Sequence, residues 1–231
     1  VVGKAQTLTI NKAVTVSGNP GQAEDTVIKG PATAGQTVLL GGGAALKNVT
    51  VTRAGNTSDA WAGNNNTSGV IFAQNLTAVT TLENCIITHN RNGVYLNNTG
   101  TDAGYAVIKD NQIVENRTGI NMCNNVANSK ITGNTITDNT TLGIVYYENG
   151  YGTDLDTVDL SGNRIMGNWY GGIQLKTLSD ATTGSLGRTP SWPRAGRCAC
   201  PMKRQMSPAT TARSLNGAAA LRLLPRTRPP T

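Results

Sequence analysis

Residue types that can do chemistry concentrate in one stretch of this chain. Glu148-Asn149-Gly150-Tyr151-Gly152-Thr153-Asp154-Leu155-Asp156, followed by Asp159, places four acids within twelve residues. Two carboxylates held at a fixed separation can share the acid and base roles of glycoside hydrolysis, and Asp154 and Asp156 are the candidate pair. Asp154, Asp156 and Asp159 also form a candidate Ca²⁺ site, because Ca²⁺ takes several oxygen ligands. A solvated acidic turn is the plain alternative. A lyase would need a base to remove the proton beside a uronate carboxylate and a cation to hold the resulting anion. Lys109, Arg117, Arg164 and Lys176 are the cations considered for that role, and nothing in the sequence sets one opposite Asp154 or Asp156.

A second set is aromatic and amide: Tyr95, Asn121, Tyr147, Tyr151, Gln174 and Lys176. Sugar C–H faces stack on aromatic rings while sugar hydroxyls pair with amides, so these side chains on one flat surface would suit a saccharide. A merely solvated face is the alternative for each residue taken singly. The single histidine, His89, excludes multi-histidine metal sites and falls at an exposed turn.

What must position these residues is a repeat. Cys85–Asn90, Asn111–Asn116, Asn134–Asn139 and Asn163–Asn168 align, and their central isoleucines, Ile87, Ile113, Ile136 and Ile165, are 26, 23 and 29 residues apart. Each unit is followed by a Gly and a β-branched residue: Gly93-Val94, Gly119-Ile120, Gly143-Ile144, Gly172-Ile173. Such a step with strand-like content means stacked coils with loop insertions. Alternation turns Val94, Ile120, Ile144 and Ile173 inward with Leu96, Met122, Tyr146 and Leu175, and the residues between them outward. Asn90, Asn116, Asn139 and Asn168 should pair from coil to coil, with Asn supplying the left-handed backbone at the turns and Gly the freedom at the next bend. Cys85 and Cys123 fall in different columns, which argues against a disulfide between them. Short apolar runs from Leu8 to Phe72 supply earlier strands around an inserted loop, Ala54–Thr67. The expected fold is all-β, a right-handed parallel β-helix of about six or seven coils, with an uncapped last coil prone to self-association.

The run Leu82–Lys176, with units such as Ile131-Thr132-Gly133-Asn134-Thr135-Ile136-Thr137-Asp138-Asn139, resembles the β-helix repeats of the pectin-lyase-like superfamily. The resemblance covers roughly residues 6–177. It implies a secreted, periplasmic or cell-envelope protein among polysaccharide lyases, hydrolases, epimerases and non-catalytic surface proteins. Tyr151-Gly152-Thr153-Asp154-Leu155-Asp156 is similar in part to the Tyr-Gly-x-Asp-Pro-His-Asp motif of alginate epimerases. That motif's histidine is absent here, which puts its chemistry in doubt.

Composition divides the chain in two. Residues 1–177 hold 11 Lys and Arg against 12 Asp and Glu, whereas residues 178–231 hold nine against one. The tail has no Val, Ile, Tyr or Phe and carries seven of the nine prolines, so it cannot extend a β core. It reads as a disordered or frame-altered basic tail on a 1–177 β-helix domain. Its arginines are scattered, which argues against nucleic acid as the partner. No run of about 18 apolar residues provides a membrane span. The function expected is an extracellular or cell-envelope β-helix that engages polysaccharide, with lyase, hydrolase or epimerase activity open. The alternative is a non-catalytic adhesin-type module.

Overall fold

Short runs rich in Val, Ile, Leu and Thr each form a strand, and the turns between them carry Asn, Asp or Gly. In the computed structural model, which describes residues 7–31, 35–53, 68–98, 104–124, 126–147 and 157–176, these strands wind into a parallel solenoid. The first coil is β1 (Leu8–Ile10), β2 (Thr15–Ser17) and β3 (Val27–Gly30); the second is β4 (Gln36–Leu40), β5 (Ala45–Lys47) and β6 (Thr50–Arg53). The third is β7 (Ser68–Phe72), β8 (Thr80–Glu83) and β9 (Ile86–Thr88), and the fourth β10 (Asn92–Asn98), β11 (Ala106–Lys109) and β12 (Gln112–Val114). The fifth is β13 (Thr118–Asn124), β14 (Lys130–Thr132) and β15 (Thr135–Thr137). A sixth comprises β16 (Leu142–Tyr147), a single bridge from Lys130 to Asp159, and β17 (Arg164–Met166), and β18 (Gly171–Lys176) opens a seventh. Five turns are therefore complete, and the expected six or seven is reached only by counting partial ones.

Each strand pairs in parallel with its counterpart one coil away. The first sheet runs β1-β4-β7-β10-β13-β16-β18, the second β2-β5-β8-β11-β14, and the third β3-β6-β9-β12-β15-β17. Register puts like on like. Leu8, Val38, Val70, Val94, Ile120, Ile144 and Ile173 form one inward column of the first sheet, and Ile10, Leu40, Phe72, Leu96, Met122, Tyr146 and Leu175 the next. From Val38 to Ile144 every member of the first column is fully buried. Each such side chain contributes roughly 1.5–3 kcal/mol by leaving water. Ile173 and Leu175, expected inward, are 36% and 39% exposed because no described coil follows theirs.

The asparagines form two ladders. In the first, the backbone N–H of Asn90 donates to Asn116 Oδ1 (3.0 Å), that of Asn116 to Asn139 Oδ1 (3.0 Å), and that of Asn139 to Asn168 Oδ1 (3.1 Å). Side-chain amides add a second donor at each rung and reach carbonyls of neighbouring strands, as Asn116 Nδ2 does to Ile87 O (2.9 Å). The second ladder, in the column of Cys85, joins Asn111, Asn134 and Asn163 by the same bonds, and Cys85 N–H donates to Asn111 Oδ1 (2.9 Å). A buried polar side chain is tolerable only when paired in this way.

Two local expectations are corrected. The left-handed backbone at this corner falls on the residue before each ladder Asn, at His89 (φ 61°), Glu115 (φ 53°), Asp138 (φ 56°) and Gly167 (φ 67°), while at other turns Asn does supply it, as at Asn48 (φ 54°) and Asn84 (φ 52°). The glycines at the second position of β10, β13, β16 and β18 are not at positive φ; they are needed for closeness. A Cβ on Gly93 would lie 2.7 Å from Gly119 O and 2.8 Å from Ile113 Cγ2. The stacked glycines let adjacent coils approach at a point where any side chain would collide. Cys85 and Cys123 are free thiols. Burial pushes the Cys85 thiol up to about 11, so it stays protonated and packs as an apolar residue. Residues 178–231 and the loop 54–67 lie outside the described residues.

Candidate functional site

The first sheet has the longest strands, up to seven residues, and therefore the broadest outer face. Its outward columns are Leu39, Ile71, Tyr95, Asn121, Val145, Gln174 and, beside them, Asn97, Cys123, Tyr147. An open groove of about 340 Å³ crosses this face over the last four coils. That volume is in the range of small-molecule sites, though the groove is shallow.

The floor is formed by Asn121, Val145 and Gln174. Val145, expected on a solvated surface, is buried at this floor. Asn121 Oδ1 is buried and has no hydrogen-bond partner among the described residues. An unpaired buried acceptor costs about 1–3 kcal/mol. The strand-end side carries Tyr147, 38% exposed. The opposite side comes from turns and strand starts: Arg91 and Asn92 on one coil, Arg117 and Thr118 on the next, Thr141 on a third and, on the last, Tyr170, 71% exposed, with its ring centroid 5.8 Å from that of Trp169. Thr141 Oγ1 donates to Arg117 O (2.7 Å), which leaves Thr118 Oγ1 to donate to Thr141 Oγ1 (2.9 Å). This hydroxyl chain ties the turns of successive coils together along the groove.

Asn121, Tyr147 and Gln174 thus meet in one groove. Tyr95 shares the column of Asn121 and Gln174 but is half-buried against Cys123. Burial first, then the neighbouring thiol, holds the Tyr95 phenol above its ordinary range, so it stays a neutral packing group. The strand position of Lys176 pairs with Tyr147. Tyr151, Asp154 and Asp156 lie outside the described residues. Asp159 stands at the second sheet, where its Oδ1 accepts the Ser161 N–H (2.9 Å) and its backbone bridges to Lys130. Among the described residues, no three His, Cys, Asp or Glu side chains gather closely enough to hold a metal ion.

The four cations considered for anion stabilisation are dispersed. Lys109 lies on the second sheet and pairs with Glu83 (3.1 Å), while Arg164 is on the third sheet. Arg117 reaches the groove. Arg91, Thr118, Thr141 and Tyr170 are groove residues that strand alternation does not find, because they sit in turns or, for Thr118, at the first position of a strand. The signal available was positional: each follows a ladder Asn by one or two residues. His89 is exposed, 3.4 Å from Glu115 Oε2, and away from the groove.

The family model for the right-handed beta helix region matches residues 13–184. No curated protein and no solved structure matches the chain. Among the described residues no helix is long and apolar enough to cross a membrane.

Proposed function

The chain belongs to the right-handed β-helix family, and from that premise we propose that it is an extracellular or cell-envelope protein that binds polysaccharide along the groove of its first sheet. The observation that carries this reading is the convergence of Tyr147 and Tyr170 with Asn121, Gln174, Arg91 and Arg117 on one open surface. Coils recur every ~4.8 Å, so equivalent side chains present a regular series to a regular polymer. A glycan lying along the solenoid axis would stack sugar faces on the tyrosines and pair hydroxyls with the amides and the Thr118–Thr141 chain. The unpaired Asn121 acceptor gives a hydroxyl donor a further gain, provided the amide shifts to meet it.

Catalysis belongs to the same proposal through the segment 148–156, which continues the chain directly from Tyr147 on the groove face. Asp154 and Asp156 are its acid and base candidates, and with Asp159 the Ca²⁺ candidates. The resemblance to pectin-lyase-like proteins supports lyase, hydrolase or epimerase chemistry.

Affinity electrophoresis against neutral and uronate polysaccharides tests binding, with absorbance of unsaturated ends and release of reducing ends as readouts of cleavage. Retardation on at least one polymer, weakened about tenfold by Tyr147→Ala, is expected. Silence across the panel would overturn the saccharide reading. Binding without turnover would assign the molecule to the non-catalytic surface modules. Where cleavage occurs, an unchanged rate in Asp154→Asn and Asp156→Asn would remove the loop from the mechanism.

A further inference from the structure

Arg91, Arg117, Thr141 and Tyr170 hold one position on four successive coils. Arg91 and Arg117 immediately precede the paired Asn92 and Thr118, and Thr141 and Tyr170 the paired Leu142 and Gly171. The Thr141 N–H donates to Arg117 O (2.7 Å), which joins the two pairs into one column. Along the axis that column reads cation, cation, hydroxyl, aromatic. The rest of the groove is sorted the same way. On the fourth and fifth coils Asn92, Thr118 and Asn121 lie beside the two arginines. On the sixth and seventh, Leu142, Val145 and Tyr147 accompany Tyr170, with Thr141 and Gln174 as the polar groups there. Among the described residues no Asp or Glu lines the groove, and none forms a salt bridge with Arg117.

We infer that the groove takes an acidic glycan in which charged sugars alternate with neutral ones, a carboxylate lying at the Arg91–Arg117 end and an uncharged ring on Tyr147 and Tyr170. This rests on the saccharide reading of the groove and narrows it. Equivalent positions on adjacent coils are ~4.8 Å apart, so both guanidinium groups can reach one carboxylate, and an anion there relieves the repulsion between them. The choice of polymer follows from the sorting. A neutral glycan offers the two guanidinium groups no charge. A homopolyuronate carries a carboxylate on every sugar, and those lying over Leu142, Val145 and the tyrosines would lose water without gaining a cation. An alternating polymer suits both ends, and it lies in one direction, with a charged sugar toward the N-terminal coils.

The test measures retardation of the full chain in affinity gels at ~0.15 M salt. The gels hold hyaluronan, in which a uronate alternates with N-acetylglucosamine, or polygalacturonate, or a neutral glucan. Hyaluronan should bind at least tenfold tighter than either of the others. The basic segment 178–231 attracts by charge density and favours polygalacturonate, so the opposite order belongs to the groove. Arg117→Gln should weaken hyaluronan binding about tenfold and bring it to the level of the glucan. Tyr170→Ala should weaken both polymers alike, because an uncharged ring occupies that end in either. Circular dichroism checks that each variant keeps its β spectrum. Polygalacturonate or glucan bound as tightly as hyaluronan overturns this inference and leaves the saccharide reading standing. So does an Arg117→Gln chain that holds hyaluronan as the parent does. Retardation by none of the three also overturns the inference, and silence across the wider panel overturns the saccharide reading with it.

Discussion

Asn116, in the turn after β12, and Asn121, in β13, stand five residues apart and carry the same amide into opposite surroundings. Asn116 is fully buried; its Nδ2 donates to Ile87 O, Val114 O (3.0 Å) and Asn139 Oδ1 (3.2 Å), and its Oδ1 accepts from Asn90. Asn121 lines the outer groove with its Oδ1 unpaired. The interior of this solenoid also holds polar side chains, and there every ladder rung is tied to the next coil. Donated bonds to neighbouring coils separate the ladder amide from the groove amide, and residue type alone does not reveal them; an unpaired oxygen does not, since the buried Asn90 Oδ1 of the ladder also has no partner among the described residues.

The sharpest way to break the comparison is Asn116→Ala. It removes the two N–H donors shared among Ile87 O, Val114 O and Asn139 Oδ1 and takes away the acceptor of the Asn90 N–H. A loss of about 3–5 kcal/mol is expected, read as the midpoint shift in urea denaturation. A loss below 1 kcal/mol would show that the ladder is incidental. Gly93→Ala comes next, because its new Cβ meets Gly119 O and the Ile113 methyl. Overpacking of this kind costs about 1–3 kcal/mol, and an unchanged melting temperature would mean that the coils can separate at that column.

A smaller effect is expected on the outer face of the second sheet. Lys47 (2.8 Å) and Lys109 (3.1 Å) both pair with Glu83. These lysines hold the Glu83 carboxyl below its ordinary value. A carboxylate depressed in the folded state stabilises above its unfolded pKa and loses that contribution as pH falls through the folded one. Glu83→Gln should therefore cost up to about 1 kcal/mol at pH 7 and progressively less below the ordinary Glu range, measured as stability against pH. A cost that does not shrink in acid would place the effect in packing. Gln174→Ala should leave stability within about 0.5 kcal/mol yet weaken retardation by the polysaccharide that the parent binds. If it destabilised as Asn116→Ala does, the distinction between groove and ladder would fail.

The repeat was legible because stacked coils impose one register on Ile87, Ile113, Ile136 and Ile165, and a column of like residues survives loop insertions. The ladder at Asn90, Asn116, Asn139 and Asn168 was legible for the same reason. Its companion at Asn111, Asn134 and Asn163 was harder to see, since Cys85 interrupts the column and contributes only its backbone N–H. The groove was half legible. Asn121, Tyr147 and Gln174 follow from strand alternation, whereas Arg91, Arg117 and Tyr170 come from turns, whose side-chain directions depend on three-dimensional curvature. The glycines illustrate a different limit: their positions could be read, but the reason for them is a contact with the next coil that no single repeat contains.

Every rung of both ladders donates in the same direction, from one coil to the Asn of the coil that follows it in sequence. The molecule can therefore lengthen or shorten by whole coils, each bringing its own acceptor and donor, while a partial insertion inside a rung would leave both neighbours unmatched. Variation in such a lineage should accumulate as duplicated or deleted coils and as loops of changing length between them. The extent of the groove is then a property inherited in steps of one repeat.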